Sequence, residues 1–116
     1  MSIGDDFLLT CKKNYFSKVR PSNIESKSKE GYKKLVNIAN EYFKYDKYEI
    51  FAGFFQEGQY FIQLWAAHLL IEYGKPSQDI IKSAIGIIKD YADNSSSPEV
   101  SKEEQQWLGL NEAKYK

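Results

Sequence analysis

Along the chain, stretches in which apolar residues recur every three or four positions alternate with short polar breaks rich in Pro, Gly, Ser and Asn. That period belongs to the α-helix, where residues i, i+3, i+4 and i+7 share a face. Phe7, Leu8, Cys11 and Tyr15 line up in this way, which predicts a first helix over about Asp5 to Lys18. Asp5 or Asp6 would cap its first amides and suit the positive end of its dipole. Arg20-Pro21-Ser22-Asn23 breaks the pattern, because proline disfavours helix at the residue before it. A second helix is expected over roughly Ile24 to Tyr45. Tyr32, Leu35, Val36, Ala39, Tyr42 and Phe43 form its core face, and Gly31 is an interruption.

The aromatic run Tyr48 to Phe55 suits a short helix, since no strand of period-two alternation is available to pair with it. Gln59 to Tyr73 is apolar almost all round, the mark of a central buried helix. Gly74 is expected as a left-handed cap at its end, followed by Pro76. Ser77 caps the next helix, Gln78 to about Ala92, with Ile80, Ala84, Ile87, Ile88 and Tyr91 toward the core. After the polar loop Asp93–Pro98, Ser101 and Glu104 have capping-box spacing, and Gly109 would end the last helix. The expected fold is all-α: one compact bundle of five or six helices spanning residues 1–116, with 110–116 a frayed tail. Its core would centre on Phe61, Leu64, Trp65, Leu69, Ile80, Ile87 and Ile88.

Charge changes this picture in one respect. Sixteen basic residues balance sixteen acidic ones, so the chain lacks the basic excess with which proteins neutralise phosphates. The balance is uneven, however. Residues 1–47 hold ten Lys/Arg against six Asp/Glu, or +4; residues 48–116 hold six against ten, or −4. Lys12, Lys13, Lys18, Arg20, Lys27, Lys29, Lys33 and Lys34 lie among Tyr15, Phe16 and Tyr32, a mixture that could grip a nucleic-acid strand. Those aromatics also fit core positions, and the core reading outweighs nucleic-acid binding. No apolar run reaches the roughly 18 residues needed to cross a bilayer, and the N-terminus has no secretory pattern, so the expected compartment is the cytoplasm.

Catalytic chemistry finds little to attach to. Cys11 is the single cysteine and lies in an apolar cluster, where a buried thiol is the prevailing reading. His68 is the single histidine, set in the most apolar helix, with no second histidine or cysteine cluster to complete a metal site. A packing role outweighs a catalytic one, although a partner serine or Cys11 could meet it in space. Asp90 and Asp93 share a helical face and read as solvated. No GxxxxGK[ST] phosphate loop occurs. The expectation is therefore a non-enzyme without metal or cofactor. The aromatic content, 16%, is high for so small a domain, and exposed Tyr and Trp favour protein binding.

The segment YFIQLWAAHLLIEYGKPSQDIIKSAIGIIKDYADN, with a central Ala-Ala pair and a Gly-Lys-Pro turn, resembles a HEAT-like helical hairpin. Together with SPEVSKEEQQWL it also resembles small bacterial immunity proteins of contact-dependent growth inhibition systems. That resemblance implies binding and neutralising a cognate toxin domain, often a nuclease. A nuclease cleft is basic, so an inhibitor would present acid to it. The candidates for that surface are Asp90, Tyr91, Asp93, Glu99, Glu103, Glu104 and Trp107. A helical adaptor of a larger assembly is the alternative.

Overall fold

A computed structural model describes residues 2–115, and all regular structure among them is helical. Six α-helices follow one another: α1 (Ile3–Phe16), α2 (Glu30–Phe43), α3 (Tyr48–Ala52), α4 (Ile62–Tyr73), α5 (Gln78–Asn94) and α6 (Pro98–Asn111). Turns of 3-10 helix occupy Ile24–Ser28, Gly53–Gln56 and Glu112–Tyr115. The all-α bundle expected from the periodicity is thus the fold observed. Its radius of gyration, 13.0 Å, is that of a folded domain of this length.

The helix boundaries differ from expectation in instructive ways. Ser2 caps α1: its hydroxyl accepts from the Asp5 amide at 3.1 Å, and the Asp5 carboxylate accepts from the Ser2 amide at 3.4 Å. Asp5 is therefore the reciprocal partner within the helix, with no need to be the cap. The helix ends at Phe16, before the proline can act. Lys18 turns left-handed (φ 60°), the Val19 amide reaches back to the Asn14 carbonyl at 2.9 Å, and the Lys18 amide to that of Tyr15. This is a Schellman motif with lysine where glycine is usual, closed by buried Val19.

The break expected at Gly31 falls two residues earlier, at the extended Lys29. Gly31 lies inside α2 for a different reason: α1 crosses there. The buried Asn14 amide donates to the Gly31 carbonyl at 3.1 Å, and a Cβ on Gly31 would sit 1.9 Å from Asn14 Oδ1. Gly74 is likewise not a left-handed cap. Its backbone is extended (φ −110°), and glycine is required because a Cβ would meet the Leu70 carbonyl and the Tyr48 ring at 2.9 Å.

Ser77 caps α5 as expected, accepting from the Ile80 amide at 3.4 Å. By contrast, α6 begins four residues before the anticipated box, with Ser97 as cap and Pro98 in the first turn. Ser101 is left free to donate to the Ala92 carbonyl at 2.6 Å. Gly109 does not end α6, which continues to Asn111 and into the Glu112–Tyr115 turn. That turn is tied down: Lys89 pairs with Glu112 at 2.7 Å, and the Tyr115 ring stacks on Trp107. Helical structure thus continues through Tyr115; Lys116, the last residue of the expected frayed end, lies outside the described residues.

Helix α4 is the hub. Ile62, Trp65, Ala66, Leu69 and Leu70 pack with Phe7, Cys11, Leu35, Ala39, Phe43 and Phe51 of α1–α3. Leu64, Ala67 and Ile71 pack with Ala84, Ile88 and Val100 of α5 and α6. A helix with cores on both sides must be apolar all round, as the sequence of α4 is. Of the expected core, Leu64, Trp65, Leu69 and Ile88 are fully buried, whereas Phe61, Ile80 and Ile87 are half-buried at its margin.

Candidate functional site

The surface departs most from ordinary chain behaviour just before α4. Tyr60 (φ 51°) and Phe61 (φ 58°) are consecutive left-handed residues. For residues with a Cβ this conformation costs roughly 1–2 kcal/mol each, and aromatic residues rarely adopt it. Three hydrogen bonds hold the turn. The Ile62 amide donates to the Gln59 carbonyl at 2.9 Å and the Gln63 amide to that of Glu57 at 3.2 Å. The Gln63 side chain donates to the Phe55 carbonyl at 2.8 Å. Gln63 also accepts from the Tyr91 hydroxyl at 3.0 Å, which ties the turn to α5. Burial, with Asp90 adding to it, pushes the Tyr91 hydroxyl up to about 12, so it remains a neutral donor.

The turn places two rings beside the end of α1. Phe16–Tyr60, Tyr60–Tyr15, Tyr15–Phe61 and Phe61–Tyr91 are successive ring neighbours, with centroids 6.0, 5.5, 5.1 and 6.0 Å apart. Tyr15 and Phe16, expected in the core, are exposed instead, at 42% and 68%. Two depressions meet at Tyr15 and Phe61. One, of about 430 Å³, is bounded by Gln59, Tyr60, Tyr91, Ser95 and Ser96. The other, of about 490 Å³, is bounded by Lys18, Arg20, Ser97 and Glu99. Together they form a ring-lined groove between the end of α1 and the loop joining α5 to α6. Lys12 lies 5.7 Å over the Tyr60 ring.

His68 occupies a second unusual environment, in the interior. Its Nδ1 is 2.8 Å from Glu72 Oε2, and its Nε2 is 2.5 Å from Glu104 Oε1 and 3.0 Å from Ser22 Oγ. The edge of Trp107 packs against the ring at 4.8 Å. Burial alone would strip the proton from His68. The charge and hydrogen bond of Glu104, helped by Glu72, outweigh it and raise the pKa to about 9. The distances are those of a serine–histidine–carboxylate relay, but the chemistry differs. An imidazolium donates from both nitrogens and has no lone pair with which to take the Ser22 proton. What the group does is join α4 and α6 to the segment after α1. Beside it, Glu103 receives two 2.8 Å bonds from Arg20 and a third from Asn23.

The residues expected to form one acidic interface are dispersed by the fold. Glu104 cannot contribute, being buried and bound to His68, because its turn of α6 faces α4. Glu103 is half-buried and engaged by Arg20; Trp107 is half-buried against His68. Asp90 and Asp93 are exposed on α5, with Asp90 accepting from Asn94. Only Tyr91 and Glu99 line the groove. Sequence reasoning missed Tyr60, and it read Tyr15, Phe16 and Phe61 as core residues. The one available signal was Gly58 and Gln59 followed by the aromatic pair Tyr60-Phe61, too weak to indicate a left-handed turn. Among the described residues no group of three or more His, Cys, Asp or Glu is arranged to hold a metal ion, and no helix is long and apolar enough to cross a membrane. The chain matches no family model, no curated protein and no solved structure.

Proposed function

We propose that this protein is a binding module that docks another protein in the ring-lined groove, and that the partner is a toxin domain it neutralises. The observation that carries the binding reading is the tandem left-handed pair Tyr60–Phe61. Strain of this kind persists where the surrounding structure over-determines it, and it concentrates at ligand contacts. Here it sets two half-buried rings at the margin of the core, beside the exposed rings of Tyr15 and Phe16. Exposed Tyr and Phe give large contact area for little entropy lost, as at the hot spots of protein interfaces. The toxin as partner is supported by the resemblance of residues 60–108 to immunity proteins, and by it alone.

The test is co-production with toxin domains encoded beside this gene. Survival of the producing cells, and a stable complex on gel filtration, are the expected results. Tyr60→Ser and Phe16→Ser should each weaken the complex by about 1–3 kcal/mol, the range of a ring at a hot spot, without loss of folding. Full affinity in both variants would sink the groove as the contact. A partner that binds but is harmless when produced alone would place the protein among helical adaptors instead.

A further inference from the structure

The charges around the groove bear on what fills it. Resting on the docking reading above, we propose that the occupant is an acidic segment of the partner protein: a large apolar side chain flanked by carboxylates. The apolar anchor belongs at the waist, where Tyr15 and Phe61 wall both depressions. One lysine borders the groove, and a second, which lines neither depression, lies beside it. Lys12 lies over Tyr60, which borders only the first depression, and Lys18 borders only the second. Neither lysine forms an ion pair among the described residues, whereas Arg20 is committed to Glu103.

Among the described residues that line the groove, Glu99 is the one carboxylate. It is fixed by its own backbone amide and accepts from the Ser97 hydroxyl at 3.1 Å; Arg20 and Lys18 add to these in holding it below the usual carboxylate range. Its charge is thus met within the protein, and the occupant's carboxylates belong beside Lys12 and on the side of Lys18 away from Glu99. The remaining wall, formed by Gln59, Ser95 and Ser96, is polar and uncharged. The orientation is the reverse of the one suggested by the acid excess after residue 48, because Asp90 and Asp93 border neither depression. A single nucleic-acid strand would also find rings and cations here. Lys12 and Lys18, on a chain of zero net charge, are few for phosphates, so the protein segment is favoured.

Fluorescence anisotropy with three labelled probes tests this on the intact chain. The probes are a short peptide alternating Asp or Glu with Phe or Leu, the same peptide with Lys in place of every acid, and a short oligothymidylate. The acidic peptide should bind at least about tenfold more tightly than the basic one, and more weakly as salt rises. The double variant Lys12→Glu, Lys18→Glu should lose roughly tenfold or more for the acidic peptide and gain for the basic one. Equal or tighter binding of the basic peptide, preference for the oligonucleotide, or no binding of the acidic peptide at about millimolar concentration each overturns the proposal. The partner assay separates this failure from that of the docking reading. If the double variant still neutralises the toxin while Tyr60→Ser does not, the groove stands and the charge assignment falls. If neither change matters to the toxin, both fall.

Discussion

The groove and the His68 cluster are opposite solutions to placing side chains against their preference. At His68, polar groups are taken out of water, and every one receives a partner: two carboxylates for the two nitrogens, Arg20 and Asn23 for Glu103. At the groove, Tyr15 and Phe16 stay exposed, and the backbone is held in a disfavoured conformation at Tyr60 and Phe61, whose half-buried rings lie against Tyr15. The first arrangement spends nothing that is not returned inside the fold. The second is returned only in part, since Tyr60 and Phe61 pack at the margin of the core, and the proposed partner would cover the rest. The Ser22–His68–Glu72 distances mimic a catalytic relay, yet protonation makes them a brace. Conversely, nothing in the chemistry of Tyr60 or Phe61 is reactive, and their geometry is the informative part.

Breaking the brace should have the largest effect on stability. Glu104→Ala leaves the His68 charge buried with one carboxylate fewer, and should destabilise by about 3–5 kcal/mol, read from the urea midpoint. A loss below 1 kcal/mol would mean that the cluster is not holding α6 to α4.

The same brace should respond to pH. The pKa of His68 is about 9 folded and near 6.5 unfolded, so its contribution is complete below 6.5 and disappears as pH rises through 9. Between pH 6 and 10 the loss should be on the order of 3 kcal/mol. His68→Gln should flatten that slope; an unchanged slope would assign it to other groups.

On the groove side the expected stability changes are small and can even be favourable. Lys18→Gly relieves a left-handed residue at a helix end and should stabilise by about 1 kcal/mol. It should also weaken the acidic peptide, since Lys18 borders the second depression. Smallest is Phe16→Ser, expected within about 0.5 kcal/mol of the parent in stability. Its expected drop in partner affinity, beside an unchanged unfolding curve, is the sharpest contrast the two regions offer.

Local pattern carried the sequence reading wherever local forces decide. Ser77 before Gln78, and the all-round apolar stretch of α4, are visible because caps and burial faces leave marks within a few residues. Where two local signals competed, the wrong one could be chosen. Ser101–Glu104 has the spacing of a capping box, but Ser97-Pro98 offered an earlier start. Glu104 turned inward because of His68, 36 residues away, which no window of the sequence displays. Gly31 and Gly74 were marked as special, but the reason was the crossing of another element and not their own torsion. Tyr60 and Phe61 run against propensity, so reading propensity more carefully would only have led further away.

Cys11 is wholly enclosed, and burial pushes its thiol well above the ordinary range. As the one cysteine in the chain, it is a built-in stopwatch. An alkylating reagent can reach its sulfur only while α1 and α2 are apart, and reacts only with the thiolate that forms once solvent enters. The rate of a single mass increment on the unmodified protein therefore counts openings of that half of the molecule. Saturating the groove with partner should lengthen the interval between them, because one wall of the groove is the end of the same helix.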